Sequence, residues 1–167
     1  PMTTPPDASA APASERELRL TRELDAPPAL VFRLWTEGEH LARWCAPKGF
    51  TIPEGGGDVR PGGAWWSVMV APDGTVHRLG GNYLQVDPPH RLTFTHAWRD
   101  AAGQPGHQTI VTVTLDDLGN GRTRLTLHQA RFDSVPARDG HSGGWRECLD
   151  RLDALARQLV QQQAQQQ

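Results

Sequence analysis

Residues 58–98 contain three successive β-strands together with the turns that connect them, and no other stretch constrains the fold as strongly. The turns are marked by Arg60-Pro61-Gly62-Gly63, Pro72-Asp73-Gly74 and Asp87-Pro88-Pro89. Proline presets φ for the first turn position, and glycine reaches positive φ without steric cost. Because strands joined by short turns pair antiparallel, the stretch predicts a β-meander.

Two short helices and one long helix accompany the strands. The short helices are predicted after the first strand, and the long helix carries an apolar stripe that runs from Trp145 to Leu159 at helical spacing. The sequence leaves the start of this helix open. Ser134 with Pro136 could begin it early, or a separate turn could lie there. Alternation and turn residues predict seven strands, at 16–24, 51–60, 64–71, 75–87, 90–99, 108–117 and 122–132.

This order predicts an α+β protein in which a curved, seven-stranded antiparallel sheet wraps the C-terminal helix. Such a sheet buries one face, and its twist leaves an elongated apolar cavity beneath the helix. A single domain is predicted at 15–160. The Pro/Ala/Ser-rich residues 1–14 are predicted to be a disordered tail. The Gln-rich residues 161–167 are predicted to be a disordered tail as well, with a frayed extension of the last helix as the alternative.

Composition argues against several classes of function. The formal net charge is −2 at pH 7 with no basic run, so no nucleic-acid partner is expected. The sequence contains no apolar run of about 18 residues and no signal-peptide core in its first fourteen residues, which predicts a cytoplasmic protein without membrane insertion. Cys45 and Cys148 fit no metal spacing and are expected to be reduced thiols. No metal and no cofactor are predicted.

Several short motifs follow one another in an order typical of one protein family. They are Asp58-x-Arg60-Pro61-Gly62-Gly63 followed by Trp65, Pro72-Asp73-Gly74, Gly81-x-Tyr83-x-x-Val86, Pro88-Pro89-x-Arg91-Leu92-x-Phe94, and Gly144-Trp145 at the terminal helix. Together they resemble the branch of the START-related helix-grip (SRPBCC) superfamily that is named after activators of heat-shock-protein ATPase. The resemblance covers about residues 16–158 and implies the helix-grip fold. The superfamily includes lipid carriers, polyketide cyclases and co-chaperone domains, so the fold does not choose among activities.

Large apolar and aromatic side chains dominate the predicted interior. His96 alternates with Phe94 and Trp98, so it should face the covered side of the sheet, where it could hydrogen-bond a ligand or act as a base. Whether Trp65 or Trp66 points inward is left open. His77, His107 and His141 lie near turns or loops and are expected at the surface. The predicted ligand-binding residues are Trp35, Trp44, Trp65, Met69, Tyr83, Phe94, His96, Trp98, Val113, Gln129, Trp145 and Leu149.

Three functions compete at this point. The first is a START-like module that binds a hydrophobic or aromatic small molecule. The second is an enzyme of the polyketide cyclase or hydratase type that uses the same cavity, with His96 as base, although no catalytic set is recognisable. The third, implied by the resemblance, is an interaction domain with a chaperone partner in the stress response. A homodimer is a further alternative.

Overall fold

The computed structural model describes residues 11–166, in which seven strands and three α-helices follow a short 3-10 turn at Ala13–Glu15. The elements are β1 (Leu18–Leu24), α1 (Pro28–Thr36), α2 (Gly38–Trp44), β2 (Thr51–Gly57), β3 (Ala64–Val70), β4 (Val76–Asp87), β5 (Arg91–Arg99), β6 (Thr109–Gly119), β7 (Arg122–Ala130) and α3 (Val135–Gln165).

All seven strands form one antiparallel sheet in the order β1-β7-β6-β5-β4-β3-β2. Strands β2 to β6 each pair with the next strand in sequence, as the turn residues predict. Strand β1 pairs with β7, in register from Leu18 opposite Gln129 to Leu24 opposite Thr123. The predicted α+β architecture and helix-grip fold are confirmed.

Helix α3 begins at Val135 because Ser134 caps it. The Ser134 Oγ accepts a hydrogen bond of 3.1 Å from the Ala137 backbone N–H, and Pro136 occupies the first turn, where no N–H is needed. The cap settles the choice that the sequence left open in favour of the early start. Farther along, Leu149, Leu152 and other apolar side chains of α3 are buried in the core.

The two predicted tails have different outcomes. Residues 1–10 and residue 167 lie outside the described part of the chain. At the C-terminal end, α3 continues to Gln165, so residues 161–165 extend the helix, which was the alternative to a disordered tail. Glutamine has a helix propensity close to that of leucine, and an established helix extends by one hydrogen bond per added residue.

Strand β2 also differs from its prediction. It ends at Gly57 rather than at residue 60, and Gly55 to Gly57 lie within the strand, paired with Ser67 to Trp65 of β3. The sequence predicts that these glycines interrupt the strand, whereas in the structure they are part of it and leave space for a neighbouring side chain. A Cβ on Gly56 would lie 2.9 Å from the Nε1 of Trp66, so the glycine leaves room for that indole.

Candidate functional site

A cavity of about 990 Å³ opens between the sheet, the helices α1 and α2, and the first turns of α3. This volume is at the upper end of the range of small-molecule pockets. Apolar and aromatic side chains form most of its wall. They include Trp35, Leu41, Phe50, Trp65, Met69, Leu79, Tyr83, Leu92, Phe94, Trp98, Ala137 and Trp145.

Aromatic rings form a nearly continuous surface along the cavity. The ring centroid of Trp35 lies 5.8 Å from that of Trp145 and 6.5 Å from that of Phe94. Trp65 continues the series, because its centroid is 5.6 Å from that of Phe94 and 5.9 Å from that of His96. Tilted and edge-on pairs of this kind bury much apolar area while keeping a fixed shape.

Trp65 is the inward member of the tryptophan pair that the sequence left open. Its indole N–H donates a hydrogen bond of 3.0 Å to the Thr95 carbonyl. Trp66 is 45% exposed, although it also contributes to the cavity lining. The glycine opposite Trp65, Gly81, allows this packing, since a Cβ there would overlap the Thr95 carbonyl oxygen.

His96 lies on the cavity wall as predicted from its alternation, and it is only 6% exposed. Burial lowers the pKa of His96 to about 3, neighbouring His141 acts in the same direction, and a contact with its own backbone carbonyl opposes both. The imidazole is therefore neutral near pH 7 and a weak base. It can donate or accept a hydrogen bond in the cavity, but it is poorly suited to remove a proton from a substrate.

His141 belongs to the same cluster, although a surface position was expected for it. Its ring centroid lies 5.3 Å from that of His96, and its Nε2 accepts a hydrogen bond of 3.2 Å from the Trp98 indole. Burial lowers the pKa of His141 as well. The early start of α3 places His141, Trp145 and Cys148 at i, i+4 and i+7 on one helix face, which is the signal that could have found it.

Eight of the twelve predicted ligand-binding residues line the cavity, namely Trp35, Trp65, Met69, Tyr83, Phe94, His96, Trp98 and Trp145. The other four do not. Val113 and Leu149 are packed in the core, and the indole N–H of buried Trp44 donates to the Leu34 carbonyl at 2.8 Å. Gln129 is fully buried and bonded to Thr109 and Trp145, so its polar groups are already used.

Both cysteines lie in the cavity wall and are free thiols. Burial raises the pKa of Cys148 to about 12 and raises that of Cys45 well above its ordinary value. Neither is therefore a thiolate near neutral pH, which argues against a nucleophilic role.

Arg151 fixes the loop that closes one end of the cavity. Its Nη1 donates to the carbonyls of Ala46, Pro47 and Phe50 at 2.7, 3.2 and 3.3 Å, and its Nη2 donates to the Arg43 carbonyl at 3.1 Å. The Arg43 carbonyl lies in the last turn of α2, where backbone acceptors lack helical partners, and the other three carbonyls follow the end of the helix. The guanidinium thereby ties the cavity wall to α3.

Some kinds of site are absent from the described residues. Across residues 11–166, no group of three or more His, Cys, Asp or Glu side chains is placed to hold a metal ion. No helix in the same part of the chain is both long and apolar enough to cross a membrane.

Comparison with protein families shows that the sequence matches a known family. The family model AHSA1, described as "Activator of Hsp90 ATPase homolog 1-like protein", matches residues 25–157. The chain belongs to this family. The resemblance that the turn motifs indicated for this AHSA1-like chain is thus confirmed. A comparison with curated proteins found no match.

Solved structures support the same assignment for the AHSA1-like chain. Protein CV1439 from Chromobacterium violaceum is 34% identical, with a TM-score of 0.76 over 84% of this chain and 96% of its own. Protein NE0264 from Nitrosomonas europaea is 30% identical, with a TM-score of 0.75 over 88% of this chain and 97% of its own. The AHSA1 protein SPO3351 from Silicibacter pomeroyi is 29% identical, with a TM-score of 0.76 over 87% of this chain and 99% of its own.

Acid should destabilise this AHSA1-like chain through His96. Its folded pKa of about 3 lies below the ordinary value of 6.5, so the unfolded chain binds the proton first as the pH falls. The stability that neutral His96 contributes is retained above pH 6.5 and is lost as the pH falls from 6.5 to 3. From pH 8 to pH 5, His96 alone should cost about 2 kcal/mol of unfolding free energy. Urea titrations at both pH values measure this loss.

A substitution isolates the contribution of His96. The variant His96→Gln should lose about 2 kcal/mol less than the wild type over the same pH change, although the lowered pKa of His141 leaves part of the acid sensitivity in both proteins. Exposed His90 provides the control, since His90→Gln should keep the wild-type pH dependence. Equal pH dependence in the wild type and His96→Gln would contradict the buried, neutral state of His96.

Proposed function

We propose that this AHSA1-like chain binds a hydrophobic or aromatic small molecule in the cavity between the sheet and α3. The observation that carries the proposal is the cavity itself, with its volume of about 990 Å³ and its wall of aromatic and apolar side chains. A core packed at the usual density would leave no void of this size.

The imidazole of His96 and the two thiols in the cavity wall favour binding over catalysis. The low pKa of His96 makes it a weak base, and the raised pKa values of Cys45 and Cys148 keep the thiols protonated. A cyclase or hydratase working near neutral pH would need a group poised near that pH. We therefore place a carrier or receptor role ahead of the enzyme.

The expected affinity is no tighter than a Kd of about 10 μM. Burying about 300 Å² of apolar surface from a two-ring ligand, at about 25 cal/mol per Å², gives about 7 kcal/mol, from which the cost of association is still to be subtracted. A neutral probe, N-phenyl-1-naphthylamine, is suited to the test because its emission rises in apolar surroundings. Five of the six tryptophans line the cavity, so their emission should be quenched at the same time.

A substitution that fills the cavity should weaken binding of the probe. Ser67 lies on the cavity wall in the same strand as Trp65 and Met69, so Ser67→Trp should place a further indole in the space and weaken probe binding at least tenfold. The matched control is Leu84→Trp, which adds the same side chain at a position that is 49% exposed and outside the cavity wall. Unchanged affinity in Ser67→Trp would place the probe elsewhere, and a wild type that does not bind would overturn the proposal.

A second candidate, stimulation of a chaperone ATPase, is favoured by the exposed indole of Trp66 and by the family description. An exposed aromatic side chain is a common feature of protein contact sites. If this function holds, the chain should raise the ATPase rate of Hsp90, and Trp66→Ser should remove that increase without lowering the melting temperature. No increase with the wild type would reject this second function.

A further inference from the structure

We propose that the cavity prefers ligands that carry a positive charge on an apolar or aromatic body, such as a protonated alkyl or aryl amine. This inference rests on the proposed binding function and specifies its ligand class. It comes from the charges around the cavity. Among the residues that line it, the acidic side chains are Glu39 and Glu54, and the lining contains no lysine and no arginine.

Both glutamates lie at the solvent side of the cavity. Glu39 is on α2 and Glu54 is on β2, and both are exposed. Neither forms an ion pair within residues 11–166, whereas Glu37 and Asp58 pair with arginines. Their carboxylates are therefore available to a ligand whose charged end remains near the mouth.

Two neighbouring arginines keep their positive charge, but neither of them lines the cavity. Arg151 is engaged by four backbone carbonyls, and Arg43 bonds to the side-chain oxygen of Gln158 at 3.3 Å. Lys48 is exposed in the loop between the lining residues Pro47 and Phe50, but it does not line the cavity. Lys48 could oppose the preference, and it is included in the test. The imidazole of His77 also lines the cavity.

The interior accepts a cation more readily than an anion. Burial keeps His96 and His141 neutral near pH 7, so neither supplies a positive partner for a carboxylate or a phosphate. An anionic ligand would find no lysine or arginine in the cavity lining to pair with its charge, which is unfavourable in an apolar site. A cation can instead remain near the mouth, beside Glu39 or Glu54, while its hydrophobic body fills the cavity.

Three ligands with the same twelve-carbon chain separate charge from hydrophobicity. Dodecylamine, dodecan-1-ol and dodecanoate should be compared as competitors of N-phenyl-1-naphthylamine, below their aggregation concentrations. The measurement belongs at pH 8, above the ordinary histidine pKa, and at low salt. Dodecylamine should displace the probe at about tenfold lower concentration than dodecan-1-ol, and dodecanoate should be the weakest. Adding 0.5 M NaCl should reduce the difference.

Variants locate the selectivity. Glu39→Gln and Glu54→Gln should each weaken dodecylamine about three- to fivefold, the range of an exposed ion pair, and should leave dodecan-1-ol unchanged. Asp116→Asn, an exposed carboxylate outside the cavity wall, is the control and should change neither. Lys48→Gln should not weaken dodecylamine.

The outcomes separate this inference from the proposed function. Equal displacement by all three ligands, or tightest binding of dodecanoate, would overturn the charge preference while leaving the cavity a binding site. The same conclusion follows if Glu39→Gln and Glu54→Gln both leave dodecylamine unaffected. Failure of the probe and all three ligands to bind would reject the proposed function itself.

Discussion

Replacing Gln129 with alanine should lower the free energy of unfolding by about 3–4 kcal/mol, among the largest effects of any single substitution in this chain. Gln129 is fully buried, its Nε2 donates to the Thr109 Oγ1 at 2.8 Å, and its Oε1 accepts from the Trp145 indole at 2.7 Å. The alanine leaves Trp145 without its acceptor and opens a void. Urea denaturation measures the loss.

Two further variants separate the causes. Gln129→Leu keeps most of the volume but not the hydrogen bonds, so we expect an intermediate loss of about 2 kcal/mol. His128→Ala changes the neighbouring residue, whose partly exposed side chain lies 3.4 Å from Glu17, and should cost less than 1 kcal/mol. If Gln129→Ala came within 1 kcal/mol of the wild type, the network would not stabilise the fold as described.

Gly81→Ala should destabilise the protein by at least about 3 kcal/mol, because the sheet leaves no room for a side chain there. A Cβ on Gly81 would overlap the Thr95 carbonyl oxygen, and Thr95 is fixed on both sides. Its carbonyl accepts from the Trp65 indole at 3.0 Å, and its Oγ1 accepts from the Asn82 backbone N–H at 2.8 Å. Thermal and urea denaturation should both report the loss.

The control for this substitution is another glycine. Gly143 lies within α3, and a Cβ there meets no atom within 4 Å. Gly143→Ala should therefore stabilise the protein by about 0.5–1 kcal/mol through helix propensity. A Gly81→Ala variant as stable as the wild type would contradict the close packing at Thr95.

The sequence predicted the architecture because turn chemistry and alternation are local. Pro72-Asp73-Gly74 determines a turn on its own, and the alternation of Leu92, Phe94 and His96 determines which face of β5 they occupy. The long helix followed from its apolar spacing in the same way. These signals require no knowledge of distant residues, so the sheet and the covering helix were correctly predicted.

The site was predicted only in part, because its details depend on distant contacts. Adjacent Trp65 and Trp66 alternate, and the inward residue is fixed by Thr95 and by glycines on neighbouring strands. Gln129 does face the interior, but its bonds to Thr109 and Trp145 remove it from the cavity wall. Such partners lie on other elements of the fold and leave no local trace in the sequence.

The methyl group of Met69 gives the most direct test that the space beneath α3 is an accessible binding site. The chain has two methionines, and Met69 lies in the cavity wall. In protein labelled with 13C at the methionine methyl groups, the Met69 signal can be assigned with Met69→Leu. Saturation with N-phenyl-1-naphthylamine should shift this signal through the ring currents of the bound probe, in parallel with the rise in probe emission. A Met69 signal that stays unchanged at saturation would contradict a ligand in the cavity.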